Sequence, residues 1–138
     1  MNELKKDGKT LIGVHIRRGD YKEWRKGKLY FSDEVYANFM QMCINVFGAS
    51  VNFVCVSNET INVEYFLSVG LPVIGVSGTP QEDVCTLSLC DYILGPTSTF
   101  TWWAAFMGDK CRFEITDPSD VISKEGFVKV RRFVSVFE

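Results

Sequence analysis

Near the start of the chain, an apolar segment ends abruptly in charged residues. Residues 10–14 read Thr-Leu-Ile-Gly-Val, which is typical of a buried strand, and residues 15–21 read His-Ile-Arg-Arg-Gly-Asp-Tyr. In open α/β sheets, ligands bind at the carboxyl ends of the strands. Two adjacent guanidinium groups also suit a diphosphate, because each presents a planar fork of donors that matches phosphate oxygens. The segment therefore predicts a buried strand with an anion site at its end.

Short β-branched runs alternate with helical stretches along the rest of the chain. They predict five strands, at residues 11–16, 51–56, 72–76, 91–94 and 111–115. Helices are predicted between the strands, and two of them follow the N-cap residues Ser32 and Thr79. This alternation is typical of βαβ units with a parallel sheet and right-handed crossovers. We expect a Rossmann-like three-layer α/β domain with the strand order 3-2-1-4-5.

The expected strand order brings two polar clusters together. The first and fourth strands are neighbours in it, and the loops that follow them carry residues 15–20 and 95–99. Because the carboxyl ends of parallel strands meet at the same edge of a sheet, both clusters should face one crevice. Two clusters that converge from distant parts of the chain indicate a ligand site better than either cluster alone.

Length and charge limit the class of partner. A chain of 138 residues is long enough for one domain with its own core, and we treat residues 1–138 as one domain. Its formal net charge of -2 argues against nucleic acid binding through bulk charge, so any anion site is local. The basic residues of segment 17–28 supply such a site, with a solvated loop as the alternative.

The cysteines, and the absence of targeting signals, predict a cytoplasmic protein. The five cysteines include no Cys-x-x-Cys pair, and most lie in or beside apolar runs, as buried reduced thiols do. We expect no metal site, because the single histidine, His15, has no cysteine close to it in sequence. Residues 1–9 are polar rather than signal-like, and no apolar run reaches the ~20 residues of a membrane span. Peripheral association with a membrane stays open.

Four residues at the end of the first strand are candidates for the site. Arg17 is the candidate phosphate clamp, with a structural salt bridge as the alternative. Arg18 points to the other side of an extended segment, where it binds the ligand or pairs with a carboxylate. Asp20 cannot favour a phosphate directly, so we expect it to hold an arginine or to shape the loop. His15 is either a satisfied core residue or a donor to a diphosphate.

Two helix starts supply further candidates. Ser98 and Thr99 open a helix, where hydroxyls and free N–H groups form an anion site, and N-capping is a compatible alternative. Asp83 lies in the first turn of its helix, where the dipole favours a carboxylate, but it could also accept two N–H bonds from a guanine edge. Trp102 and Trp103 are adjacent on a helix and face different directions, so at least one should lie in the core.

Two segments resemble the α-1,2-fucosyltransferases of glycosyltransferase family 11. The first is Val-His-Ile-Arg-Arg-Gly-Asp-Tyr at residues 14–21. The second is Glu-Asp-Val-Cys-Thr-Leu-Ser-Leu-Cys-Asp-Tyr-Ile-Leu at residues 82–94, followed by Ser-Thr-Phe-Thr-Trp-Trp-Ala-Ala at residues 98–105. The resemblance implies an inverting, metal-independent transfer of fucose from GDP-fucose to a sugar hydroxyl. GDP-fucose is then a substrate, and no cofactor is expected.

The resemblance also implies roles for individual residues. Arg17 would bind the β-phosphate and stabilise the leaving GDP, which makes it the catalytic candidate. Asp83 would bind the guanine, and Ser98 and its neighbours would face the phosphate or the fucose. The implied donor-binding set comprises His15, Arg17, Arg18, Asp20, Asp83, Ser98, Thr99 and Phe100.

Size is the main departure from the family. Its members resemble two-domain GT-B proteins, in which an acceptor-side domain precedes the first motif, whereas only residues 1–9 precede the first strand here. We therefore expect the donor-binding half of a GT-B fold, with a nucleotide sugar and a carbohydrate acceptor as partners. The N-terminal acceptor domain would be missing from a fragment or supplied by a partner. The alternatives are a nucleotide-sugar binding module without turnover and a structural α/β domain whose arginines form ion pairs.

Overall fold

The strands form a single mostly parallel sheet. The computed structural model describes residues 9–18, 30–48 and 50–130. The strand bounds are β1 Thr10–Ile16, β2 Val51–Ser57, β3 Val73–Gly75, β4 Tyr92–Pro96, β5 Cys111–Ile115 and β6 Val128–Lys129. Their order in the sheet is β3-β2-β1-β4-β5-β6, and only the β5–β6 pair among them is antiparallel. The predicted order of the first five strands is confirmed. The two-residue β6 was not predicted, because so short a strand leaves no periodic pattern.

Helices cover both faces of the sheet, which gives the three layers expected of a Rossmann-like domain. Their bounds are α1 Asp33–Phe47, α2 Val63–Ser68, α3 Pro80–Ser88 and α4 Thr99–Gly108. Alternate residues of β1 contact different helices: Ile12 and Val14 belong to the core on the α1 face, whereas Leu11 packs with Cys90 behind α3. The period-two alternation of a strand therefore assigns each β1 side chain to one face.

Local side-chain chemistry sets the starts of the helices. Ser32 caps α1, and Thr79 caps α3 in a capping box. In this box the Thr79 hydroxyl accepts from the Glu82 N–H, and the Glu82 carboxylate accepts from the Thr79 N–H. Both predicted N-caps are confirmed. Apolar spacing in the sequence predicts that Val84, Leu87 and Leu89 share the buried face of α3. For Leu89 this prediction is wrong: it is the C-cap residue and is 53% exposed, because the helix ends before its side chain reaches the sheet.

Close packing joins the ends of β1 and β4. The two strands are paired in parallel, so their carboxyl ends lie at the same edge as the starts of α3 and α4. A Cβ on Gly95 would lie 3.1 Å from the Cβ of His15 and 3.0 Å from Cγ2 of Thr101. Glycine at this position lets the two strand ends and α4 approach one another. The polar clusters that follow the two strands thus meet at one crevice.

Candidate functional site

His15 is buried at the end of β1 on the side that faces α3 and α4. Its side chain is 2% exposed, and its ring stacks on Phe100, with 4.5 Å between centroids and 21° between the ring planes. Burial, with the positive charge of Arg17 as a second cause, lowers the pKa of His15 to about 3. The imidazole is therefore neutral near pH 7. Its Nδ1 atom has no hydrogen-bond partner among the described residues.

Asp83 faces the same space from the first turn of α3. It is 6% exposed, and its Oδ1 atom is buried without a hydrogen-bond partner in the described part of the chain. Burial first, and the negative charge of Glu82 second, raise the pKa of the Asp83 carboxyl above its usual value. Buried polar atoms in folded proteins are nearly always hydrogen-bonded. Two such atoms, on His15 and Asp83, therefore make this space a candidate ligand site.

Two adjoining cavities open at this edge of the sheet. The first, which we call the His15 cavity, has a volume of about 280 Å³ and is lined by His15, Arg17, Ser57, Asn58, Gly78, Pro80, Asp83 and Phe100. The second, the Trp103 cavity, has a volume of about 400 Å³ and is lined by Arg17, Gln81, Val84, Cys85, Ser98, Thr99, Phe100, Trp103 and Met107. Arg17 and Phe100 line both cavities. They form the wall that the two spaces share.

The start of α4 lies at this shared wall. The Ser98 hydroxyl caps the helix by accepting a bond from the Thr101 N–H at 3.2 Å, which matches the N-capping alternative. The first N–H groups of a helix have no acceptor within the helix, and with the helix dipole they favour an anion. Thr99 and Phe100 are the residues that carry the first of these groups. With Arg17 they give the shared wall the donors and the positive charge that a phosphate requires.

Arg112, which was not among the residues predicted from the sequence, holds the start of α4 through hydrogen bonds. It is 7% exposed on β5, and its Nη1 atom donates to Oγ1 of Thr101 at 3.0 Å and to the carbonyl of Ser98 at 3.4 Å. Burial lowers the pKa of Arg112, and the opposing effect of Glu114 is smaller. The available signal was a charged residue, Arg112, inside a predicted strand.

Arg18 lies on the opposite face of the sheet from the two cavities. Its guanidinium pairs with Asp33 at the start of α1, and its Nε donates to the carbonyl of Phe31 at 3.0 Å. Its backbone N–H donates to Oδ1 of Asn58 at 2.9 Å, and its carbonyl accepts from the Asn58 amide at 2.6 Å. The geometry thus matches the carboxylate-pairing alternative. The structure does not bring Arg18 together with the other donor-binding candidates, and Asp20 lies outside the described residues.

The two tryptophans of α4 differ as expected. Trp102 is 2% exposed and lies in the core, whereas Trp103 is 42% exposed and lines the Trp103 cavity. The five cysteines differ in burial: Cys43, Cys55 and Cys90 are buried, Cys111 is half-buried and Cys85 is exposed. Within residues 9–18, 30–48 and 50–130, no group of three His, Cys, Asp or Glu side chains is placed to hold a metal ion. In the same part of the chain, every helix is too short or too polar to cross a membrane.

Comparison with solved structures supports the fold. The chain resembles the fucosyltransferase NodZ from Bradyrhizobium with a TM-score of 0.53 and 18% identity. The match covers 88% of this chain and 44% of NodZ. At this level of identity the likeness concerns the fold, and it agrees with the α/β architecture described above.

Comparison of sequences identifies the family. The chain is 32% identical over 109 residues to galactoside alpha-(1,2)-fucosyltransferase 1 of Mus musculus, covering 71% of this chain and 28% of that relative. It is also 32% identical over 112 residues to galactoside alpha-(1,2)-fucosyltransferase 2 of Pongo pygmaeus, covering 71% of this chain and 31% of that relative. It therefore spans less than a third of the length of these two relatives. The family model described as glycosyl transferase family 11 matches residues 1–123, and the chain belongs to this family.

Proposed function

We propose that this chain forms the GDP-fucose site of a fucosyltransferase and contributes Arg17 to the transfer of fucose to a sugar hydroxyl. The observation that carries the proposal is the pair of unpartnered buried atoms, Nδ1 of His15 and Oδ1 of Asp83, in one cavity beside Arg17. Family membership and the strand-end location support it. Unpartnered buried polar atoms lower stability. A domain with a purely structural role would therefore not be expected to keep two of them in one cavity.

Guanine is the proposed occupant of the His15 cavity. Its Watson–Crick edge carries two adjacent N–H donors, and the Asp83 carboxylate can accept both, which would satisfy Oδ1. His15 is neutral, so it can contact the base through Nδ1 without forming an ion pair with the Asp83 carboxylate. Uracil presents a single N–H flanked by carbonyl oxygens, and those oxygens would face the carboxylate. The site should therefore favour GDP over UDP.

The diphosphate is the proposed occupant of the shared wall. Arg17 would contact the β-phosphate while the first N–H groups of α4 face the same group. Breaking the anomeric C–O bond through an oxocarbenium-like state places negative charge on the departing GDP. Fixed donors aimed at that charge lower the barrier, which is the role that a divalent metal has in other transferases. We therefore propose a metal-independent, inverting transfer.

A second domain is the proposed source of the acceptor side. The curated relatives are more than three times as long as the matched segment, which leaves room in them for a second domain. In a two-domain GT-B arrangement, the acceptor-binding domain would cover the edge of the sheet at which the two cavities open. A galactoside is the acceptor that the names of the relatives suggest. A nucleotide-sugar binding module without turnover remains the alternative function.

Calorimetric titration of this chain with GDP, UDP and GDP-fucose tests the proposal. We expect GDP and GDP-fucose to bind and UDP to bind at least about tenfold more weakly, because the carboxylate contact is worth more than about 1.4 kcal/mol. Arg17→Ala should weaken GDP binding, and Lys124→Ala, an exposed charge away from both cavities, should not. Equal affinity for GDP and UDP would contradict the proposal. A transfer assay with a galactoside on a full-length parent then separates a transferase from a binding module.

A further inference from the structure

The Trp103 cavity begins at the wall where the proposed function places the diphosphate. Its remaining lining is largely apolar, with Val84 and Cys85 from α3 and Trp103 and Met107 from α4. Trp103 is 42% exposed and Met107 is 58% exposed, so these apolar side chains face an open space rather than the core. A ligand that extends from the His15 cavity past Arg17 and Phe100 would enter the Trp103 cavity.

A nucleoside diphosphate sugar has a base at one end and a sugar at the other. The linings of the two cavities differ in a way that suits these two ends. The His15 cavity holds the unpartnered polar atoms that suit a base. The Trp103 cavity offers an aromatic ring and aliphatic side chains, which suit the apolar face of a pyranose and a methyl group. Fucose is a 6-deoxyhexose: it carries a methyl group where galactose carries a hydroxymethyl group. An apolar wall favours the methyl group, because a hydroxyl would lose its hydrogen bonds to water there.

We propose that the Trp103 cavity receives the 6-deoxyhexose of the donor and that Val84, Cys85, Trp103 and Met107 select its methyl group. This inference rests on the proposed function, since it needs the diphosphate at Arg17. It adds a specificity determinant to that site: the His15 cavity selects the base, and the Trp103 cavity selects the sugar.

Cys85 provides a direct test of occupancy. It is exposed, whereas Cys43, Cys55 and Cys90 are buried, and the half-buried Cys111 lies on β5 outside both cavities. The chain is alkylated with N-ethylmaleimide, and the labelling rate of each cysteine is followed by peptide mass spectrometry, with Cys111 as the internal reference. At ten times its dissociation constant, GDP-fucose should slow labelling of Cys85 by about tenfold. GDP at equal saturation should leave the rate nearly unchanged, because it lacks the sugar.

The outcomes separate the two proposals. Equal protection of Cys85 by GDP and GDP-fucose, or no protection by either although both bind, would overturn the sugar assignment and leave the base and phosphate sites intact. Failure of both ligands to bind would contradict the proposed function itself. Cys85→Ser removes the labelled peptide signal and verifies its assignment.

A second experiment tests the selection of the methyl group. GDP-L-galactose differs from GDP-L-fucose only by the hydroxyl at C6, and an apolar pocket discriminates against one added hydroxyl by up to about a hundredfold. We expect the chain to prefer GDP-L-fucose by about ten- to a hundredfold and Val84→Thr to reduce that preference by about tenfold. GDP affinity should be unchanged.

Two further variants complete the test. Met107→Gln is a variant at an exposed position, so its folding is not in question, and it should also reduce the preference. Val128→Thr introduces the same change as Val84→Thr on the exposed edge strand β6 and should keep the wild-type preference. An unchanged fucose preference in both Val84→Thr and Met107→Gln would overturn the proposal.

Discussion

Arg17 and Arg18 are adjacent in the chain but lie on opposite faces of the sheet. Arg17 lines the two cavities beside α3 and α4, whereas the guanidinium of Arg18 pairs with Asp33 at the start of α1 and lies over the Tyr36 ring, 5.6 Å from its centroid. The separation follows from the period of two in an extended chain. We therefore expect Arg17 to bind a ligand and Arg18 to stabilise the fold.

Substitution of each arginine by methionine should separate these tasks. Arg18→Met should lower the free energy of unfolding by about 1–3 kcal/mol, because it leaves Asp33 and the Phe31 carbonyl without their partner. It should leave the ratio of GDP to guanosine affinity unchanged. Arg17→Met should lower GDP affinity by about 2 kcal/mol or more while guanosine affinity stays the same.

Urea unfolding and calorimetric titration with GDP and guanosine measure the two effects. An Arg18→Met variant that keeps its stability and loses the preference for GDP over guanosine would show that Arg18 binds the phosphate, against the geometry described here.

The buried imidazole of His15 should make stability depend on pH. Its pKa is about 3 in the folded protein against an ordinary histidine value of 6.5, so between these values the unfolded chain binds more protons than the folded one. The free energy of unfolding should therefore rise with pH across this window, by up to about 1.4 kcal/mol per pH unit, and His15 should contribute no slope above it.

His15→Phe keeps a ring against Phe100 and removes the titrating group. Urea unfolding at pH 7 and pH 5 should show a smaller loss of stability on acidification in His15→Phe than in the wild-type chain. Asp83 also titrates with a raised pKa, but it is present in both proteins and its effect cancels in the comparison. Equal losses in the two proteins would contradict a neutral, buried His15.

Asp83 should cost stability in the absence of a ligand. Its Oδ1 atom is buried without a partner, and burial disfavours its charge, whereas its position in the first turn of α3 offers a favourable dipole worth about 0.3–1 kcal/mol. Asp83→Asn keeps the shape and removes the charge, so we expect the free energy of unfolding at pH 7 to stay the same or to rise by about 1 kcal/mol.

Asp109→Asn is the matched control for Asp83→Asn, because the Asp109 side chain is 82% exposed and asparagine tolerates its left-handed backbone. Urea unfolding of both variants checks the prediction. A loss of more than about 1 kcal/mol in Asp83→Asn alone would mean that Asp83 has a structural role.

Arg112 should position the start of α4. Arg112→Met removes the bonds to Thr101 and to the Ser98 carbonyl, and we expect it to lower the free energy of unfolding by about 1–3 kcal/mol. GDP binding should weaken as well, because the N–H groups of the α4 start lose their fixed direction. Glu114→Gln disrupts only the partly exposed pair at 3.7 Å and should cost about 1 kcal/mol or less. Unchanged GDP affinity in Arg112→Met, measured well below its unfolding midpoint, would limit Arg112 to a structural role.

Local patterns predicted the frame of the fold. The N-caps at Ser32 and Thr79, and the strand order, follow from short-range chemistry and from the rules of βαβ units. The convergence of the first and fourth strand ends follows from that order. The separation of Arg17 from Arg18 follows from strand periodicity alone.

Individual side-chain contacts between distant segments were beyond prediction from the sequence. The stacking of Phe100 on His15 joins residues that are separated by most of the chain, and the support of the α4 start by Arg112 depends on the register of β5 beside β4. Neither contact leaves a periodic signal. Leu89 was placed wrongly because apolar spacing cannot locate the last turn of a helix within one or two residues. The donor-binding roles, the cytoplasmic location and the acceptor domain stay predictions.

A binding cycle with GDP and IDP tests the central claim, that Asp83 binds the guanine edge in the His15 cavity. IDP lacks only the exocyclic amino group of the base, so it removes one of the two N–H donors that Asp83 would accept. We expect the wild-type chain to prefer GDP over IDP by about tenfold or more, as a hydrogen bond to a charged group is worth about 1.5–3 kcal/mol. That preference should shrink to about threefold or less in Asp83→Asn. The same GDP preference in both proteins would contradict the account and place the base elsewhere.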